Sequence, residues 1–224
     1  MLQNENIYLF LAILPLVSFL YSSVGHGGAS GYLALMALFS FAPESMKPTA
    51  LLLNLFVAGI SFFYYYREGY FNKKLFLVFA VASVPLAFIG GTIEVDASIY
   101  KKILALLLIF AILKMLHVFG KENDQTKETR LWQGLVVGGV IGFFSGLIGI
   151  GGGIILTPVI LLLHWGNMKE AAAVSALFIW VNSAAGLTGQ LSSGITIEKE
   201  SFLLVGIALI GAVLGGYYGS KKIN

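Results

Sequence analysis

Ser22-Ser23-Val24-Gly25-His26-Gly27-Gly28-Ala29-Ser30 and Ser145-Gly146-Leu147-Ile148-Gly149-Ile150-Gly151-Gly152-Gly153 each interrupt a stretch without Asp, Glu, Lys or Arg. The two stretches, 6–43 and 131–168, are each 38 residues long. A hydrocarbon core about 30 Å thick needs only about 20 helical residues. One straight helix would overshoot it, so each stretch reads as two shorter helices joined at the glycines. Non-helical backbone at membrane depth is tolerated where it lines a cavity or is buried in protein, because lipid cannot satisfy free N–H and C=O groups. Two such breaks at corresponding places in two halves of a chain point to a transporter's substrate site.

Composition sets the class. The 224 residues are 58% hydrophobic and 11% charged, with mean hydropathy +0.87. Soluble domains carry about 25% charge. The expected fold is an all-α integral membrane protein. Further spans are expected at 48–66, 75–93, 99–119, 171–190 and 201–220, lengths that suit helices and not barrel strands. The first Lys or Arg is Lys47, so the basic region of a cleavable leader is missing and the first hydrophobic segment is expected to be retained. There is no cysteine, which excludes disulfides, thiolate catalysis and cysteine metal sites. No soluble domain is expected, and 121–130 reads as a linker. The net charge of +3 is explained by loop cations, not by nucleic acid.

The halves repeat. Gly25 precedes Gly149 by 124 residues, and Gly69 precedes Gly194 by 125, as Gly90-Gly91 does Gly215-Gly216. Met46-Lys47 matches Met168-Lys169 at 122, as do Leu55-Phe56 with Leu177-Phe178 and Ser61 with Ser183. This ordered set reads as a duplication, with 1–119 as the first repeat and its connecting helix, 120–130 as a cytoplasmic linker, and 131–224 as the second repeat. If each broken stretch enters and returns, the 14 Lys and Arg divide into 10 and 4 between the two sides of the membrane. The richer side then holds Arg67, Lys73, Lys74, Lys114, Lys121, Lys127, Arg130, Lys169, Lys221 and Lys222. The positive-inside rule makes it cytoplasmic, with the N-terminus outside and the C-terminus inside. Three crossings separate the hairpins, so the repeats are expected to be inverted. A re-entrant pair and two short full crossings give the same parity.

The chemistry is expected at the breaks. Half-helices are expected over 29–41 and 154–165. Their first N–H groups lack intrahelical partners and carry about half a positive charge. Two such ends converging form an anion site that needs no Lys or Arg. The predicted substrate-binding backbone is Gly25, His26, Gly27 and Gly28 with Gly149, Gly151, Gly152 and Gly153. Hydroxyls of Ser22, Ser23, Ser30, Ser145 and Thr157 flank it, and Asn182 and Ser183 lie mid-span in a following helix. Asn54 and Ser61 occupy mid-span positions too. His26 either binds an anion as imidazolium, carries a coupled proton, or is a neutral histidine bonded to a carbonyl. His117 and His164 read as interfacial, and the histidines lack metal-ligand spacing. The ladders Gly138, Gly142, Gly146 and Gly211, Gly215, Gly219 read as helix packing. No strand precedes the first glycines and no Walker lysine exists, so nucleotide-driven pumping is not expected. No nucleophile-and-base pair stands out, and neither an enzyme nor a bound cofactor or metal is expected.

The run 146–153, Gly-Leu-Ile-Gly-Ile-Gly-Gly-Gly, with Thr157-Pro158 after it, resembles the sulfite exporter TauE/SafE family of membrane permeases. So does 24–28, Val-Gly-His-Gly-Gly, with Gly69 and Gly90-Gly91 downstream. The resemblance covers nearly the whole chain. It implies a permease in the bacterial inner membrane that moves sulfite or a related organosulfonate outward. The expected partners are therefore a small anion and the lipid bilayer. A proton, a sodium ion or neither stays open as coupling ion, and nothing in the sequence sets an oligomeric state. A passive anion channel, or a membrane subunit anchoring another protein, would share these features.

Overall fold

The computed structural model describes residues 7–96, 98–100, 102, 103, 105, 106, 109, 127 and 129–222. Among them every regular element is an α-helix. The first half holds α1 (Ile7–Ser23), α2 (Ala29–Leu38), α3 (Pro43–Arg67) and α4 (Lys73–Thr92). The second holds α5 (Leu131–Ile148), α6 (Gly153–Leu162), α7 (Met168–Ser192) and α8 (Lys199–Lys222). Five of these, α3, α4, α5, α7 and α8, are long and apolar enough to cross a membrane. With the composition, they define an integral membrane protein. Most of the expected span 99–119, His117 and most of the linker lie outside the described residues.

Both half-helices are shorter than expected. Each has 10 residues, about 15 Å or half the hydrocarbon thickness. Ser40 (φ 59°) and His164 (φ 57°) adopt the left-handed conformation just past their ends, turning the chain back three residues early. At the other end, Gly28 (φ 95°) and Gly152 (φ 83°) cap α2 and α6 in the left-handed region, where a side chain is strained. The long helices start conventionally. Pro43 occupies the first turn of α3, Asn72 caps α4 by accepting from the Leu75 N–H, and Asn167 with Glu170 forms a capping box on α7.

The first broken segment enters and returns at one end of the bundle. Phe10, near the start of α1, stacks on Phe41 beyond α2 at 4.9 Å and meets Phe39 edge-on at 5.5 Å. In the second segment the Lys127 N–H, ahead of α5, donates to the His164 carbonyl beyond α6. Glycines then lock the hairpins onto long helices. Gly138, Gly142 and Gly146 of α5 press on the backbone of Phe79, Ser83 and Ala87 of α4. Gly211, Gly215 and Gly219 of α8 press on Pro15, Phe19 and Ser23 of α1. A methyl group at any of the six would overlap a backbone oxygen, so the predicted ladders are packing seams. In both seams residue numbers rise together, so α4 runs parallel to α5 and α1 to α8.

These directions assign the ends. The first hairpin opens where Thr49 meets Ser201 (2.8 Å) and Ser193 donates to the Thr92 carbonyl (3.1 Å). The second opens at the opposite end. There Lys169 donates to the Gly219 carbonyl (3.0 Å), and Lys221 pairs with Glu68 (3.7 Å). Helix starts recur at 124, 124, 125 and 126 residues, from Ile7 to Leu131, Ala29 to Gly153, Pro43 to Met168 and Lys73 to Lys199. The interval of 122 read from Met46-Lys47, Leu55-Phe56 and Ser61 is therefore not the structural register. On α3 and α7 the equivalent positions lie 125 apart, which pairs Lys47 with Ala172 and Asn54 with Ile179.

Candidate substrate site

The two breaks meet midway along α3 and α7. A Cβ on Gly27 would overlap the Asn54 side chain and lie 2.9 Å from Ile179 Cγ2. One on Gly151 would overlap the same amide and lie 2.8 Å from the same methyl. Equivalent glycines thus rest on one pair of equivalent side chains. The flanking contacts match too. Gly25 lies against Ala172 and Gly149 against the Lys47 backbone.

Asn54, though buried, is bonded through both its amide oxygen and its amide nitrogen. Its Oδ1 accepts the Ala29 N–H, the first of α2, at 3.1 Å, and its Nδ2 donates to Ser183 Oγ at 3.2 Å. A lipid-depth amide needs such partners. His26 crosses from the first break to the second. Nδ1 lies 3.0 Å from the Val24 carbonyl, and Nε2 lies 3.2 Å from the Gly153 carbonyl and 3.1 Å from Thr157 Oγ1. Thr157 in turn donates to Ser175 Oγ of α7 at 2.7 Å. Around Asn54 and Ile179 the structure therefore gathers His26, Gly27, Gly151, Gly153, Thr157 and Ser183 of the predicted residues.

The others lie at the margins. Gly152 faces Ile141, Phe178 and Ser145, with Ser145 Oγ buried and unpartnered. Asn182 donates to the Phe178 carbonyl at 2.8 Å, and its Oδ1 is likewise buried without a partner. Ser22 donates to the Ala212 carbonyl at 2.8 Å, Ser23 to that of Leu20 at 2.8 Å, and Ser30 meets Tyr21 Oη at 2.9 Å. Ser175 and Ile179 escaped the sequence reading. Their spacing to Asn182 and Ser183 marks one helix face, but within an Ala-rich run that face looks like ordinary packing.

None of the gathered side chains is Asp, Glu, Lys or Arg. What polarity the centre has comes from backbone dipoles, hydroxyls, one amide and one imidazole. Two cavities, about 240 and 200 Å³, open at opposite ends of the bundle. Lys47, Glu94 and Tyr100 line the first and Lys74, Lys127 and Trp165 the second. Neither is lined by a residue of the breaks.

In this all-helical membrane protein two glycine-broken hairpins meet at mid-bundle, and its family and relatives are those of a membrane transporter of the permease class. The sulfite exporter TauE/SafE profile matches residues 9–224, and the chain belongs to that family. A probable membrane transporter protein of Sinorhizobium fredii is 34% identical over 229 residues, covering 99% of this chain and 92% of its own. Another, of Methanocaldococcus jannaschii, is 29% identical across 96% of this chain and 88% of its own. A third, of Bacillus subtilis, is 23% identical across 96% and 90%. No solved structure matches the chain.

Proposed function

We propose that this transporter is a secondary carrier for a small anion, of the sulfite or organosulfonate class, held where the two breaks meet. The observation that carries the reading is the meeting of equivalent glycines, Gly27 and Gly151, over Asn54 and Ile179, beside the starts of two half-helices. Helix starts attract anions, and glycine lets a ligand approach the backbone. The unpartnered Ser145 Oγ lies beside this centre as a further donor. The family name supplies the sulfur chemistry.

Transport proceeds by alternating access around the central site, as in carriers built from inverted repeats. The opposite mouths of the two hairpins support this reading. Side chains of Arg67, Lys73, Lys74, Lys127, Arg130, Lys169, Lys221 and Lys222 belong to the end where the second hairpin opens, which we assign to the cytoplasm by the positive-inside rule. The N-terminus is then external and the C-terminus cytoplasmic, in a bacterial inner membrane. The test is a thermal-shift panel of sulfite, sulfate, thiosulfate, sulfoacetate, acetate and phosphate on purified protein. A ligand at about a hundred times its Kd stabilises the folded state by about 2.7 kcal/mol. Selective stabilisation by sulfite or a sulfonate is expected. Equal or absent shifts across the panel would reject the assignment.

A further inference from the structure

His26 is surrounded by acceptors. The Val24 carbonyl faces Nδ1 at 3.0 Å and the Gly153 carbonyl faces Nε2 at 3.2 Å. Thr157 Oγ1 spends its proton on Ser175, so it too meets Nε2 as an acceptor. A neutral imidazole has one N–H and one lone pair. Whichever tautomer forms, one ring nitrogen turns its lone pair toward an oxygen lone pair. Only the imidazolium, with two N–H groups, satisfies every contact. The remaining neighbour is the Ser61 hydroxyl of α3, which reaches the His26 carbonyl and not its ring. From α3, α6 and α7 no Asp, Glu, Lys, Arg or second histidine faces the ring.

An imidazolium at the membrane centre with no carboxylate beside it would need a counter-charge. An anion between the same two breaks supplies one, and each ion lowers the cost of burying the other. Anion and proton affinities are then reciprocally linked. Resting on the carrier reading above, we propose that His26 binds the coupling proton, so that one anion and one proton occupy the centre together. Because His26 spans from the first break to α6, the proton also ties the two hairpins. Its loss would leave a repulsive contact at the Val24 or Gly153 carbonyl, and α6 would part from the first break more readily when the site is empty.

The experiment is calorimetry with ethanesulfonate, whose charge does not change near neutral pH, in two buffers of different ionisation enthalpy. The comparison gives the number of protons taken up per anion bound. Wild-type protein is expected to take up about one proton per anion above the titration range of histidine, with affinity falling about tenfold per pH unit there. His26→Gln and His26→Asn are expected to bind more weakly, with no uptake and a flat pH profile, the backbone amides still holding the anion. Wild-type binding without proton uptake overturns the inference and leaves the carrier reading intact. Undiminished uptake in both variants, or loss of all binding in both, overturns the assignment to His26. Wild-type protein that binds no anion at any pH overturns the carrier reading and this inference with it.

Discussion

The Asn54 amide joins the two halves of the chain, accepting from the Ala29 N–H at 3.1 Å and donating to Ser183 Oγ at 3.2 Å. Removing it leaves a helix-start N–H and a hydroxyl unpaired at membrane depth. Asn54→Leu is expected to lower stability by about 1–3 kcal/mol. Thermal unfolding in detergent measures it, and an unchanged melting temperature would contradict the bridging role. Asn54→Asp keeps the shape, loses the donor and adds a buried charge, so it is expected to be the worse of the two.

Two glycine substitutions separate crowding at the site from general backbone effects. Gly27→Ala places a methyl against the Asn54 amide and Ile179, and is expected to abolish anion uptake into proteoliposomes. Gly206, on α8, has open space around its Cβ position. Gly206→Ala is expected to transport normally and to gain about 0.5–1 kcal/mol from helix propensity. Equal uptake by both variants would remove Gly27 from the site.

The seam glycines fail differently. Gly146→Leu and Gly219→Leu drive side chains into the Ala87 and Ser23 carbonyls, which belong to backbone and cannot yield. Neither variant is expected to give a monodisperse peak on size exclusion, whereas Gly27→Ala is. A folded Gly146→Leu protein would show that α4 and α5 pack less closely than described.

The chain contains no cysteine, so single-cysteine labelling needs no prior removal. Lys73→Cys and Thr196→Cys mark exposed positions at opposite ends of the bundle. In intact cells an impermeant maleimide is expected to label Thr196→Cys and spare Lys73→Cys. The reverse pattern would invert the proposed topology.

Much of this was legible because glycine in an apolar run has few uses. The breaks at 24–28 and 149–152 were readable, as were the seams at four-residue spacing. The register on α3 was not. Met46-Lys47 and Met168-Lys169 look alike, but one pair sits at positions 4 and 5 of its helix and the other at positions 1 and 2. Similar residues drawn from one apolar alphabet misalign easily, whereas helix starts do not. Asn54 was visible as a mid-span amide, yet nothing local separates an amide that joins two breaks from one that glues two helices. Its partner Ile179 carries no polar signal at all. The early turns at Ser40 and His164 were hidden because only the fold forces a non-glycine residue into the left-handed region.

The half-helices α2 and α6 run in from opposite faces and start at one depth, each covering about half the hydrocarbon thickness. Once either side opens in the proposed cycle, water reaches the breaks and the transmembrane voltage drops across the thin layer of Asn54 and Ile179. A charge moved alone through that layer does electrical work of about 2.3 kcal/mol per 100 mV. A monovalent anion that shares the centre with a protonated His26 crosses it as a neutral pair, and its flux follows the concentration and pH gradients while ignoring the membrane potential.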